Sequence, residues 1–231
     1  MAKLEDRIEI ANPHQPHCAT VLLLDTSGSM SEGGKINALT NGLTIFKEDV
    51  SKDDLASKRV DLSVITFGDS VTVTHDFSSI EEFEPPVLSA DGYTPMGEAI
   101  LKAIELIEQR KQQYKNKGID YYRPWIFMIT DGEPTDMEPG DSKWNEVTRK
   151  VHDGENNKKF MFFAVAVEPA NTELLRQIAP PNRPPIRLKE GKFKDLFTWL
   201  SKSQSKVSTS KVGEQVVLEN PVAAGWGEIS T

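Results

Sequence analysis

Apolar and polar positions along this chain fall into two rhythms. Unbroken apolar runs at 21–24, 125–129 and 160–167 are too short for helices and predict strands buried on both faces. Between them, apolar residues recur every three or four positions. Ile36, Leu39, Leu43, Phe46 and Val50 predict a helix over 35–50; Met96, Ile100, Ala103, Ile104 and Ile107 predict one over 95–117. Trp144, Val147 and Val151 mark a third, and Phe193, Leu196, Phe197 and Leu200 a closing one. Residues 59–67 and 70–77 read as a hairpin turning at Gly68-Asp69. Residues 173–178 form a short helix, broken by Pro180, Pro181, Pro184 and Pro185, and 186–188 a last edge strand. Strands alternating with helices predict an α/β fold: a mostly parallel central sheet, one antiparallel edge hairpin, and helices on both faces.

The first buried strand ends in Asp25-Thr26-Ser27-Gly28-Ser29. In an open parallel sheet the carboxyl ends of strands are where ligands sit. Asp25, Ser27 and Ser29 are hard oxygen donors, and Gly28 lets the backbone turn both hydroxyls toward one centre. Oxygen ligation suits magnesium, calcium or manganese rather than zinc.

Asp25-Thr-Ser27-Gly-Ser29 resembles the D-x-S-x-S signature of von Willebrand factor A domains. The resemblance spans about residues 17–205 and implies that family's sheet architecture. It also implies a metal-ion-dependent adhesion site with two further ligands from later loops. Thr94, in Gly92-Tyr-Thr94-Pro-Met-Gly97, and Asp131, in Thr130-Asp131-Gly132, occupy the matching places in order. The family pattern assigns Ser27, Ser29 and Thr94 to the ion directly and Asp25 and Asp131 to its waters. Neutral hydroxyls leave a magnesium ion under-neutralised, so an anionic ligand from outside is favoured. The resemblance implies that this ligand is a Glu or Asp of a partner protein. Taken singly, Asp25 would serve as a turn cap, and Ser27 and Ser29 would satisfy backbone donors. The three motifs together point to the metal.

Other chemistry is poorly served. A phosphate-cradling G-x-x-x-x-G-K-[ST] loop fails, because Ser29 and Ile36 flank Gly34-Lys35 wrongly. A D-x-D phosphatase motif has Ser27 in place of its second acid, and no G-x-S-x-G elbow is present. Glu133 alone stands near enough in sequence to act as a general base and reads as a rim residue. The chain is therefore expected not to be an enzyme.

Length and composition add bounds. The 231 residues suit one α/β domain, and a net charge of -8 without a basic block excludes nucleic acid as an expected partner. One cysteine, Cys18, fits a reducing compartment; no apolar run reaches membrane-spanning length, and the start carries no signal-peptide core. A cytoplasmic location without membrane insertion is expected. His14, His17 and Cys18 lie close together but lack the further ligands zinc requires, and read as an arm. His75 reads as a solvated edge residue.

The expected organisation is an arm at 1–16, the domain at 17–205 and a flexible tail at 206–231, with Ser/Lys-rich linker composition from Ser201. Trp226 in that tail reads as part of a disordered end, a returning strap or a docking peptide. The motif set with Gly225-Trp226-Gly227 resembles bacterial stand-alone A-domain proteins of tellurite-resistance gene clusters, the Y type. That resemblance implies a scaffold in a chemical-stress and phage-defence system. It also implies an accompanying kinase and phosphatase for which the Ser/Thr-rich tail is a target. A regulatory subunit of a chelatase-like motor ATPase, or a metal-dependent phosphoesterase, are the alternatives.

Overall fold

The computed structural model describes residues 10–229; the start of the expected arm lies outside them. Seven strands form one sheet in the order β3-β2-β1-β4-β5-β6-β7. They are β1 (Cys18–Asp25), β2 (Val60–Phe67), β3 (Val71–Ser79), β4 (Trp125–Thr130), β5 (Met161–Ala166), β6 (Ile186–Leu188) and β7 (Gly227–Ile229). Strands β2, β1, β4, β5 and β6 run parallel, β3 closes one edge as the expected hairpin, and β7 closes the other antiparallel to β6. The helices are α1 (Lys35–Ser51), α2 (Ala56–Arg59), α3 (Met96–Lys117), α4 (Ser142–Asn156), α5 (Thr172–Ile178) and α6 (Phe193–Thr209).

Side chains of a strand alternate between faces, so the apolar run of β1 serves two cores at once. Leu22 and Leu24 pack with Leu43, Phe46 and Phe197 of α1 and α6, whereas Val21 and Leu23 pack with Ile100, Ile107 and Val147 of α3 and α4. Helices α1 and α6 approach closely because Gly42 leaves room: a Cβ there would lie 2.1 Å from the Phe197 ring.

Several expectations are corrected. Residues 201–209 are the last turns of α6, not a linker: Ser201, Ser203, Gln204 and Ser208 are buried, and Gln204 Nε2 donates to Thr20 Oγ1 at 2.9 Å. Strand β6 is not an edge, because the chain returns and β7 pairs with it. The flexible tail is instead a strap: the Trp226 side chain is fully buried, its ring 5.3 Å from that of Trp199. Its indole packs into the core cluster beside α6, with Nε1 buried and without a hydrogen-bond partner. His75 is half-buried rather than solvated, with Nε2 2.7 Å from Ser78 Oγ.

A buried polar group ties the other end of the sheet together. His17 Nδ1 lies 3.1 Å from Asp61 Oδ1, while Arg110 and Tyr114 of α3 both reach Asp61 Oδ2. His17 and Cys18 are thus parts of β1 and its approach; the arm reading fails for them because both side chains are fully buried.

Candidate metal centre

The strand order switches at β1: the chain leaves it for β2 through α1 on one face of the sheet and reaches its other neighbour, β4, through α3 on the opposite face. Such a switch point opens a crevice at the carboxyl ends of the strands. Leu24 pairs with Ile129, which brings Asp25 level with Thr130 and places Asp131 one residue beyond.

Asp25 is buried at the strand end and both its oxygens are engaged. Ser27 N donates to Oδ1 at 2.8 Å, and Thr130 Oγ1 donates to Oδ2 at 2.5 Å. Burial pushes the Asp25 carboxyl above its ordinary value; the Ser27 and Thr130 hydrogen bonds oppose this, and the charge of Asp131 adds to it.

After Asp25 the chain enters a short 3-10 segment, Gly28–Gly34, in which Ser27 occupies the N-cap position. Ser27 Oγ and Ser29 Oγ lie 3.1 Å apart, and Ser29 Oγ donates to Asp131 Oδ1 at 2.6 Å. Gly34, in the left-handed region at φ 72, turns the chain into α1 and sets Lys35 at its first position. The Lys35 ammonium pairs with Asp131 Oδ2.

The Thr94 loop is stitched to both others. Asp91 N donates to Thr26 O at 2.8 Å and Gly28 N to Gly92 O at 3.2 Å. Thr94 N donates to Thr135 Oγ1 at 3.0 Å, and Thr135 N returns to Thr94 O at 2.9 Å. Asp136 accepts from the first α3 amides, Gly97 N at 3.0 Å and Glu98 N at 2.9 Å. Gly132 shows how tightly the parts converge: a Cβ on it would lie 3.0 Å from Thr94 Oγ1 and 3.5 Å from Asp25 Oδ2.

All five sequence-predicted residues, Asp25, Ser27, Ser29, Thr94 and Asp131, thus meet at one crevice. Sequence reasoning missed Lys35, Thr130, Thr135 and Asp136. Thr130 stood inside the Thr130-Asp131-Gly132 motif without a role, and Asp136 caps α3, an element that precedes it in the chain, so no local pattern announced it. Among the described residues no cluster of three or more His, Cys, Asp and Glu is placed to hold a metal. The donor set here is instead three hydroxyls and two carboxylates, which fits a hard cation rather than zinc. The exposed Glu133 accepts from Asn171 Nδ2 at 2.9 Å, away from this set of contacts.

The fold and its crevice define an open α/β sheet with an oxygen-lined centre at the switch point. The family profile of the von Willebrand factor type A domain matches residues 20–199, and the chain belongs to that family. Domains of this family commonly serve as metal-dependent protein-interaction modules. Human inter-alpha-trypsin inhibitor heavy chain H6 is 25% identical over 173 residues, 71% of this chain but 12% of that protein. Among solved structures, a von Willebrand factor type A protein of Catenulispora acidiphila superposes with a TM-score of 0.61 at 15% identity. It covers 85% of this chain and 44% of its own. The pilus adhesin SpaC of Lactobacillus rhamnosus GG gives 0.63 at 13% identity, covering 85% and 31%. The chain therefore spans less than half the length of these proteins, and the likeness to the solved structures is one of fold. Among the described residues no helix is long and apolar enough to cross a membrane.

Proposed function

We propose that Asp25, Ser27, Ser29, Thr94 and Asp131 hold one divalent cation, magnesium by preference, and bind a carboxylate of a partner protein through it. The observation that carries this reading is the Ser29 hydroxyl bonded to Asp131 Oδ1 at 2.6 Å, which joins the first and third motif loops. Lys35 on the other Asp131 oxygen supports it, since that carboxylate already holds a cation. Three neutral hydroxyls would leave a bound magnesium electron-poor and open to an anionic ligand. Glu133 is exposed and bonded to Asn171, so no general base faces the crevice from it, and the role is binding rather than turnover.

The finer setting we infer is a cytoplasmic scaffold of a tellurite-resistance-type stress system, supported by the motif ensemble and the Gly225-Trp226-Gly227 ending. If a neighbouring kinase acts on the C-terminal region, the burial of Ser201, Ser203 and Ser208 leaves the exposed Thr209 and the half-buried Ser205 and Ser210 as acceptors there.

Affinity capture in magnesium and in chelator, with Ser27→Ala as control, tests the reading. A partner retained only with metal and lost in the variant is the expected result. Partners indifferent to both would move the interaction away from this crevice.

A further inference from the structure

At the opposite end of the sheet lies a cavity of about 690 Å3. Trp125 and Met161, the first residues of β4 and β5, line it. The length of β4, about 20 Å, separates it from the crevice at Asp25 and Asp131. Residues 212–218 of the C-terminal strap also line it. The strap is pinned beside it: Lys206 Nζ donates to Val217 O at 2.6 Å and Trp199 Nε1 to Glu219 O at 2.9 Å.

The lining is unusual for a chain of net charge -8. Lys111, Lys115, Arg123, Lys158, Lys159 and Arg183 contribute six cations against one acid, Glu214. Lys111 pairs with Glu108, and both arginines share Glu155. The ammoniums of Lys115, Lys158 and Lys159 have no carboxylate partner among the described residues. A concave, partly apolar wall focuses such a field rather than letting solvent disperse it.

Two further observations point the same way. Trp125 Nε1 and Arg183 Nε are buried without a hydrogen-bond partner, and both belong to residues of this wall. Both are donors, so what the wall lacks is acceptors and negative charge. Beside polar Asn157, Ser210 and Gln215, the wall carries an apolar and aromatic part that includes Trp125, Tyr121, Val207 and Leu218. The volume is that of a small-molecule site, well beyond a bare ion.

We propose that this cavity binds a phosphorylated small molecule with a planar apolar body, the chemistry of a nucleoside polyphosphate. Phosphate oxygens meet Lys115, Lys158 and Lys159, and the ring packs on the aromatic part of the wall. This assignment is independent of the metal-centre reading.

Calorimetric titration of the full chain tests it. ATP, adenosine and inorganic tripolyphosphate are compared in excess chelator, with Asp131 left in place to hold the Lys35 ammonium, so that the crevice offers no free cation to phosphate. ATP is expected to bind at one site, with adenosine and tripolyphosphate each weaker by about tenfold or more. The double variant Lys158→Glu/Lys159→Glu alters exposed side chains only. It is expected to keep the melting temperature and weaken ATP by about tenfold or more. No ATP binding at about millimolar concentration, or ATP affinity unchanged in the double variant, would overturn the proposal. Tripolyphosphate binding as tightly as ATP would reduce the cavity to a bare anion site and overturn it as well.

Discussion

The Lys35 ammonium sits on Asp131 Oδ2, while the other oxygen of that carboxylate accepts from Ser29. The Lys35 side chain is 12% exposed and that of Asp131 fully buried, so the pair is not a solvent-screened surface bridge. Gly34 makes it possible by turning α1 so that its first residue faces the crevice. A divalent cation arriving at Asp131 meets a tethered monovalent one.

That competition predicts the sign of one substitution. Lys35→Ala removes the tethered charge, and manganese affinity is expected to rise by about three- to tenfold. Electron paramagnetic resonance titration of Mn2+ reads it directly. A loss of affinity would mean that Lys35 helps to build the site instead of competing for it.

Gly132 gives a second test that touches no ligand. A Cβ 3.0 Å from Thr94 Oγ1 is tighter than side chains normally tolerate, and the threonine hydroxyl must give way. Gly132→Ala is expected to weaken manganese binding while the far-ultraviolet circular dichroism and melting temperature stay close to those of the parent. Unchanged binding would show that Thr94 lies outside the ion's reach.

Asp61 contributes to acid stability. Burial alone pushes its carboxyl up, but the hydrogen bond from His17, the Arg110 and His17 charges and the Tyr114 hydroxyl outweigh it and hold it below the ordinary value. The unfolded value is near ~3.9. A carboxyl lowered on folding contributes stability that is complete above that value and is lost as pH falls through its folded one. Melting temperature is therefore expected to drop below about pH 4. Asp61→Asn leaves Arg110 buried without its counter-charge and is expected to cost about 3–5 kcal/mol at neutral pH. Urea melts at several pH values check both parts.

Trp226 tests the strap. Its side chain is fully buried against Trp199, and β7 follows it immediately. Trp226→Ala is expected to cost about 3–5 kcal/mol, seen as a lowered urea midpoint. A disordered end would leave that midpoint where it was.

How far the sequence could be read follows from which forces act locally. Strands β1 and β4 and helices α1 and α3 were legible because burial on two faces, or on one stripe, writes a periodic pattern. The approach of Asp25, Ser27, Ser29, Thr94 and Asp131 was legible because each stands in a recognisable motif at a strand end or helix start. Lys35 was not, since a lysine opening a helix looks like any solvated one until the left-handed Gly34 aims it. The end of α6 was hidden because Ser201, Ser203 and Gln204 are small or polar, and only contact with partners such as Thr20 makes them interior. Strand β7 was hidden because it is three residues long and two of them, Glu228 and Ile229, are exposed, so it writes no buried pattern.

The most direct measurement is the stoichiometry and affinity of manganese on the purified chain, compared with Ser29→Ala and Thr94→Ala. One ion per chain, weakened about tenfold or more in each variant, is the result predicted. Binding that both variants retain at parental affinity, in chains shown to be folded, would contradict a centre built from these three loops.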